Sequence, residues 1–179
     1  MRKLSCVLIL LVTASLALSP AAAGPTQGGV TSDNVEYLKH VNFEVGTATG
    51  MKVIGDYLYI TSWKNFSIYD VSDPLNPELM SITPFGFKFE NEDVATNGKI
   101  LLLSKFNRAD PVNHLAVIDV SDPKDMKVIS TLPGAGSHTM ECLYDCKWAY
   151  GSGSKQASDG IIVDLRNPKE PKLLDEKWS

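Results

Sequence analysis

The stretch IYDVSDP, residues 68–74, decides the fold because it occurs three times in the chain. It returns as VIDVSDP at residues 117–123 and as IVDLRNP at residues 162–168. Each copy is an apolar run that holds one Asp, followed by a polar stop and a Pro. The three aspartates, Asp70, Asp119 and Asp164, are separated by 49 and 45 residues. A fixed period of this length predicts a repeat architecture.

Short β-like runs separated by turn residues fill each repeat, and no segment places apolar residues at helical spacing over three turns. In the first repeat the runs are Met51–Ile54, Tyr57–Ser62, Phe66–Val71 and Leu79–Thr83. Four antiparallel strands in each period are typical of a β-propeller blade, and a β-sandwich is the competing architecture. We therefore predict an all-β chain, a β-propeller segment of about three four-stranded antiparallel blades, at approximately residues 49–84, 90–133 and 137–176.

The turn residues of each repeat predict its local structure. Tight turns are expected between the first and second strands, at Gly55-Asp56, Asn97-Gly98 and Tyr144-Asp145. A calcium site at the repeated Asp is disfavoured, because a calcium loop needs several oxygen ligands and a glycine at its bend. We expect the repeated Asp to accept backbone N–H groups, and the residue before each Pro to form an Asx turn (Asp73, Asp122 and Asn167).

The segment Val35–Val41 resembles an additional outer strand, which in a ring completes the last blade. Closed propellers have at least four blades, whereas this sequence supplies three. The sequence is therefore expected to be the front part of a longer protein, with self-association of two three-blade chains into a six-blade ring as the alternative.

Residues 1–23 have the three parts of a secretory signal peptide: the cations Arg2 and Lys3, an apolar stretch, and small residues that end at Ala23. Residues 24–34 are predicted to be a flexible leader, and residues 35–179 to be the repeats. The expected location is secreted or at the cell surface, or the periplasm. The formal net charge of −4 becomes −6 without those two cations, which argues against a nucleic-acid partner. We expect no membrane span in the mature chain.

The runs IYDVSDPLNPELMSI and VIDVSDPKDMKVIST resemble the LVIVD repeat, which is found in bacterial secreted and surface proteins. The likeness covers about residues 35–179. The third copy departs from the pattern, with Leu165-Arg166-Asn167 in place of Val-Ser-Asp. The resemblance implies a β-propeller, and it implies no catalytic residues, because the repeat carries no general activity.

Cys142 and Cys146 are the two cysteines outside the signal segment. In an oxidising compartment we expect a disulfide between them, which pins the Tyr144-Asp145 hairpin. Zinc is the alternative, since His138 precedes the pair, but a fourth ligand is not evident. Free thiols are the third option. No metal and no cofactor are predicted.

The topology of a blade predicts which side of the ring carries a site. One side receives the tight turns and the Asp-Pro corners, and the other receives the longer connections, where binding residues usually lie. We predict ligand contacts there from Trp63, Glu90, Glu92, Asp93, Phe106 and His138. These residues would take an unidentified protein or glycan ligand without catalysis. The alternatives are a propeller hydrolase or lyase with His138 and a carboxylate as its acid/base pair, and a purely structural domain.

Overall fold

A computed structural model describes residues 32–41, 48–62, 65–84, 93–105, 113–152 and 160–178. The chain divides into two compact units, Met1–Tyr37 and Leu38–Ser179. The described part of the first unit contains one turn, in which the Val35 amide donates to the Ser32 carbonyl at 3.0 Å.

Twelve strands form the second unit within the described residues, and they assemble into three antiparallel sheets. Sheet 1 contains β1 (Ala48–Ile54), β2 (Tyr57–Ser62), β3 (Asn65–Asp70) and β4 (Glu78–Pro84). Sheet 2 contains β5 (Ala95–Thr96), β6 (Ile100–Lys105), β7 (His114–Asp119) and β8 (Lys127–Pro133). Sheet 3 contains β9 (Met140–Leu143), β10 (Trp148–Gly151), β11 (Gly160–Asp164) and β12 (Lys172–Trp178). Each sheet is a meander whose strands pair in chain order, so the predicted all-β class with three four-stranded sheets is confirmed.

The outer strand predicted over Val35–Val41 is not formed in the structure. Its alternation of apolar and polar residues suits a strand, but a strand exists only when its backbone groups pair with a neighbour. The three described sheets have the orders β1-β2-β3-β4, β5-β6-β7-β8 and β9-β10-β11-β12, and none of these ladders includes the segment.

The turn between β5 and β6 lies one residue later than the sequence predicted. The Asn97 amide donates a hydrogen bond to the Ile100 carbonyl at 3.4 Å, so the two residues of the turn are Gly98 and Lys99. Gly98 takes a φ of 83°, and the Asn97 side chain accepts the amides of Lys99 and Ile100 at 3.0 Å each. The turn thus matches Gly55-Asp56 in sheet 1, where Gly55 has a φ of 58°. A glycine at the first turn position is typical of a type II′ hairpin.

The hairpin between β9 and β10 is longer than the predicted Tyr144-Asp145 turn. Leu143 pairs with Trp148, so residues 144–147 form the loop. Tyr144, Asp145 and Cys146 have positive φ values of 53°, 58° and 55°. Residues other than glycine rarely adopt this backbone conformation, and the Cys142–Cys146 disulfide across the loop helps to hold it.

Two apolar clusters lie between neighbouring sheets. The cluster between sheets 1 and 2 includes Phe66, Ile68, Leu101, Leu103 and Ile118. The cluster between sheets 2 and 3 includes Leu102, Val117, Met140, Ala149 and Val163. Successive residues of β6 therefore point into different clusters, which explains why its first four residues, Ile100 to Leu103, are all apolar rather than alternately so.

Serine hydroxyls join each outer strand to the next repeat. Ser81 in β4 donates to the carbonyl of Pro123 at 2.5 Å, and Ser130 in β8 donates to the carbonyl of Pro168 at 2.7 Å. Both serines lie seven residues after the Pro of their own repeat (Pro74 and Pro123). The same contact therefore fixes sheet 2 on sheet 1 and sheet 3 on sheet 2.

Candidate functional site

The order of the strands gives each sheet two ends with different connections. At one end, the corner side, the first strand turns into the second and the third turns into the fourth through the Asp-Pro stretch. At the other end, the loop side, the second strand leads to the third and each sheet leads to the next. The connections on the loop side include eight residues between Lys105 and His114 and eight between Gly151 and Gly160.

The corner side repeats the same hydrogen bonds in all three sheets. The repeated aspartate accepts the amide two residues later, from Ser72 to Asp70 at 2.9 Å, from Ser121 to Asp119 at 3.0 Å and from Arg166 to Asp164 at 3.0 Å. In each sheet, the backbone amide of the residue that follows the third strand donates to the carbonyl of the last residue in the turn between the first and second strands. The N–O distances are 2.7 to 2.9 Å (Val71 to Asp56, Val120 to Lys99 and Leu165 to Lys147). The predicted structural role of these aspartates is confirmed.

The predicted Asx turns before the prolines are also formed. Asp73 accepts the Leu75 amide at 3.0 Å, Asp122 accepts the Lys124 amide at 2.9 Å, and Asn167 accepts the Lys169 amide at 3.2 Å. In the divergent third repeat, Arg166 donates to Asp164 from Nη2 at 2.7 Å and lies 4.9 Å from the centre of the Trp148 ring. The third repeat therefore keeps the corner geometry with different side chains.

These hydrogen bonds lower the pKa of the corner carboxylates, because they stabilise the charged form. The Ser72 hydroxyl and amide lower the pKa of Asp70, and the Ser121 hydroxyl and amide lower that of Asp119. The guanidinium and amide of Arg166 lower the pKa of Asp164 to about 2. These carboxylates already accept hydrogen bonds from their own backbone, which makes them poor candidates for ligand binding.

Two of the six predicted ligand residues lie within the described part of the chain. Asp93 is exposed and precedes β5 by two residues, and His138 is half-buried and precedes β9 by two residues. β5 and β9 are neighbouring inner strands, so both residues lie at the loop side. The His138 Nδ1 atom is 3.3 Å from the Thr139 Oγ1 atom. Trp63, Glu90, Glu92 and Phe106 lie outside the described residues.

A hydroxyl stands at or just after the loop-side end of the second strand in each sheet, and it is buried in sheets 1 and 2 and half-buried in sheet 3. Thr61, Ser104 and Ser152 occupy the same repeat position. Thr61 donates to the Gly50 carbonyl at 3.3 Å, Ser104 accepts the Ser137 amide at 3.3 Å, and Ser152 accepts the Thr139 amide at 3.2 Å. These bonds fix the starts of β1 and β9, and with them the backbone that presents His138.

Ser137 tightens the same region. Its hydroxyl donates to the Thr139 carbonyl at 2.7 Å, and a Cβ atom added at Gly151 would lie 2.6 Å from the Ser137 Oγ atom. Only glycine therefore fits beneath this serine.

His114, the first residue of β7, is a loop-side residue that the sequence analysis did not single out as a site. Its Nδ1 atom is buried and has no hydrogen-bond partner among the groups that the structure describes. A buried nitrogen of this kind can donate to or accept from a ligand or a water molecule. A single His at the start of a strand gave no signal in the sequence.

An ion pair joins the inner strands of sheets 1 and 3. The Lys52 Nζ atom lies 3.1 Å from the Glu141 Oε1 atom. Lys52 pairs with Tyr59, Ala95 with Leu102 and Glu141 with Tyr150, so the three residues occupy one repeat position with the order Lys, Ala, Glu. An alignment of the three repeats shows these opposite charges, which the sequence analysis missed.

Cys142 and Cys146 form the predicted disulfide, with a Cα–Cα distance of 4.7 Å. It closes the β9–β10 loop on the corner side, where Asn97 also donates to the carbonyl of Asp145 at 3.1 Å. Among the described residues, no group of three or more His, Cys, Asp or Glu side chains is placed to hold a metal ion. The described chain has no helix with the length and apolarity needed to cross a bilayer.

Comparisons with known proteins agree with the repeat pattern. The model of the LVIVD repeat matches residues 45–83 and 109–132. No curated protein sequence matches the chain. A solved structure titled Kuenenia stuttgartiensis Hydrazine Synthase is similar over 79% of this chain, with 15% sequence identity and a TM-score of 0.51. This chain spans 39% of that structure's chain.

A structure titled 2S albumin seed protein from Dolichos aligns with 70% of this chain and 64% of its own, at 13% identity and a TM-score of 0.37, which is too weak to bear on the fold. The family match, the three meander sheets and the first of these neighbours agree. The chain is an all-β segment of β-propeller type that carries matches to the LVIVD repeat at residues 45–83 and 109–132.

Proposed function

We propose that this chain is an exported binding module that takes a protein or glycan ligand at the loop side of its sheets, without catalytic activity of its own. The observation that carries the proposal is the difference between the two ends of the sheets. On the corner side, repeated side chains are engaged in holding the backbone. On the loop side, the connections vary in length from two to ten residues and do not repeat, as is usual where a rigid scaffold carries a binding site.

The described part of the loop side has groups suited to a polar ligand. Asp93 is exposed, and the buried His114 Nδ1 atom lacks a partner among the described groups. His138 is held at the start of β9 by the hydroxyls of Ser104 and Ser152. A positioned carboxylate and two imidazoles can exchange hydrogen bonds with sugar hydroxyls or peptide groups.

The test is a binding screen of the purified protein on immobilised glycans and bacterial polysaccharides, followed by variants on the two sides. Asp93→Ala and His138→Ala on the loop side are expected to weaken a confirmed interaction at least about tenfold, as for residues central to an interface. Lys124→Ala and Lys169→Ala change exposed cations on the corner side and are the matched controls. Equal loss in both pairs, or loss in the controls alone, would contradict the proposal.

The enzyme alternative makes a different prediction about the bound ligand. If the loop side held an acid/base pair, the ligand recovered after incubation would be cleaved. Mass spectrometry of the recovered ligand distinguishes binding from turnover.

Export is the second part of the proposal. The disulfide supports it, because such bonds persist in oxidising compartments outside the cytosol. Expression of the full chain in a secreting bacterial host should release a protein whose first residue is Gly24. Recovery of intact Met1 in the cell fraction alone would contradict export.

A further inference from the structure

Sheets 1 and 3 each present one face that no sheet of the described chain covers. The back face of sheet 1 includes Met51 and Val53, which are 69% and 61% exposed, and the buried side chains of Ile60 and Tyr69, with Leu58 and Val71 between these extremes. The front face of sheet 3 consists of Trp148, Tyr150, Ile162 and Leu174. In sheet 2, the equivalent residues of both faces are packed against a neighbouring sheet.

One repeat position shows the difference on the back face directly. Met51, Val94 and Met140 occupy the same place on the first strand of their sheets, opposite or next to Ile60, Leu103 and Gly151. Val94 is 3% exposed and Met140 is 2% exposed, whereas Met51 is 69% exposed. The residue type is apolar in all three sheets, but only Met51 lacks a sheet in front of it.

The front face of sheet 3 has the apolar character of an interface between sheets. Ile100, Leu102, Val117 and Ile129 fill these positions in sheet 2, where they pack on sheet 3. Sheet 3 has Trp148, Tyr150, Ile162 and Leu174 at the same positions, and all four are half-buried. Aromatic residues at an uncovered face are typical of a protein interface.

The back face of sheet 1 also forms a groove with room for side chains. The groove has a volume of about 280 Å³ and an almost entirely apolar lining. Residues 38–41 border it along its outer edge, beside Pro74 and Pro77. Lys39 there donates from Nζ to the carbonyl of Leu75 at 3.1 Å.

The charges at the outer edges of the two faces are complementary. In both interfaces within the chain, a serine seven residues after the repeat Pro donates to the next corner. The residue at that place in β12 is the exposed Asp175. An ionised carboxylate cannot donate to a carbonyl oxygen, so a donor such as an ammonium group is needed to bridge the two acceptors. The ammonium group of Lys39 already lies at the corner of sheet 1, where it donates to the Leu75 carbonyl.

We propose that the front face of sheet 3 binds the back face of sheet 1 of a second copy of this chain, with Asp175 against Lys39. Two such contacts join two chains into one ring of six sheets. Propellers typically have four to eight blades, and the three described sheets of two copies give six. The occupant is a second copy because the front face of sheet 3 and the back face of sheet 1 carry apolar residues at the same repeat positions as the two faces that pack together within the chain.

The test is the mass of the purified protein in solution, measured by light scattering across a dilution series, together with a charge exchange. The wild-type protein is expected to have the mass of two copies. Asp175→Lys alone and Lys39→Glu alone each place like charges in both contacts of the ring, and each is expected to weaken the dimer at least about tenfold per contact.

Mixing the two single variants gives a decisive readout. In the mixed ring, one contact joins the two substituted residues and the other joins the two native ones, so both contacts pair opposite charges. The mixture should form a dimer with near wild-type affinity, although each variant alone does not.

A second substitution probes the apolar part of the interface. Met51→Lys is expected to dissociate the dimer, and because Met51 is exposed within one chain, the thermal unfolding of that chain should change little. Val128→Lys is the matched control, since Val128 is 55% exposed, against 69% for Met51, but lies in sheet 2, which packs on a neighbouring sheet at each face.

Three outcomes would overturn the proposal: a folded wild-type monomer at all concentrations, dimers that persist in both charge variants, or a mixture that stays monomeric. A folded monomer would mean that further sheets of a longer polypeptide, or residues 38–41 themselves, cover the back face of sheet 1.

Discussion

The two ends of the sheets differ in how their polar side chains are used. On the corner side, Asp70, Asp119 and Asp164 all accept an amide two residues later, and the third does so although its neighbours have changed to Arg166 and Asn167. On the loop side, the repeated groups are the hydroxyls of Thr61, Ser104 and Ser152, and the residues of the connections beyond them do not repeat. Repetition therefore marks the scaffold, and its loss marks the surface on which we propose that specific binding occurs.

The largest expected effect tests the frame that both sides share. Ile118→Asp buries an unpaired carboxylate at a residue that is 1% exposed, which should cost more than about 4 kcal/mol and prevent folding. Val128 pairs directly with Ile118 and is 55% exposed, so Val128→Asp is the matched control and should change stability by less than about 0.5 kcal/mol. Urea unfolding followed by circular dichroism measures both. Unchanged unfolding of Ile118→Asp would mean that the sheet assignment is wrong.

The disulfide gives the next effect on the corner side. Cys142→Ser with Cys146→Ser should lower the free energy of unfolding by about 2 kcal/mol or less, because the closed loop is short. Mass spectrometry without reduction should show the two cysteines joined in the wild-type protein. Alkylation of both thiols in exported material would contradict the link.

The corner hydrogen bonds predict a smaller effect that separates shape from charge. Asp119→Ala removes the acceptor for Ser121 and should destabilise the chain by about 1 kcal/mol. Asp119→Asn keeps an acceptor oxygen at the same place and should recover most of that loss. If the two variants unfolded at the same urea concentration, the carboxylate would act through its charge rather than as an Asx acceptor.

The Asp164 carboxylate adds a pH dependence to the corner side. Because its folded pKa of about 2 is below the ordinary value of 3.8, its contribution to stability is complete above about pH 4 and is lost as the pH falls through 2. Asp164→Asn does not titrate, so its unfolding midpoint should fall less between pH 4 and pH 2 than that of the wild-type protein. Parallel curves for the two proteins would contradict the assignment.

The smallest expected effect is on the ion pair between the inner strands. A double-mutant cycle with Lys52→Ala and Glu141→Ala should give a coupling energy of about 0.2 to 1 kcal/mol, which salt reduces, because the pair is partly exposed. A coupling of zero would mean that the pair does not link sheets 1 and 3 in solution.

Much of the scaffold was predictable because each sheet is built from local signals. The apolar runs predicted most strands to within two residues, and Asp-Pro spacing predicted the corners. The errors concern pairing. The turn at Gly98-Lys99 was placed one residue early because Asn97 is not a turn residue: its amide donates to the Ile100 carbonyl, and its side chain accepts the amides of Lys99 and Ile100. Asn65-Phe66-Ser67 matches a glycosylation pattern, yet Asn65 is 4% exposed in β3.

The candidate site was less predictable, because its residues come from different sheets. Asp93 and His138 were chosen from blade topology, and that topology is what places both at the loop side. His114 and the Lys52–Glu141 pair were missed. Neither a buried nitrogen without a hydrogen-bond partner among the described groups nor a contact between distant strands leaves a local pattern in the sequence. All six predicted ligand contacts remain predictions, and Trp63, Glu90, Glu92 and Phe106 lie outside the described residues.

The sequence by itself determined the repeat, the four strands in each copy, the Asx corners and the pairing of two nearby cysteines, because each of these depends on residues close together in the chain. Only the tertiary structure decided which apolar faces are covered, since Met51, Val94 and Met140 are alike in sequence and differ only in whether a sheet lies before them. It also decided that Ser81 and Ser130 bond to the next corner, and that Asp175 has no such corner within the described chain. Burial and contacts between sheets depend on neighbours that a single repeat cannot specify.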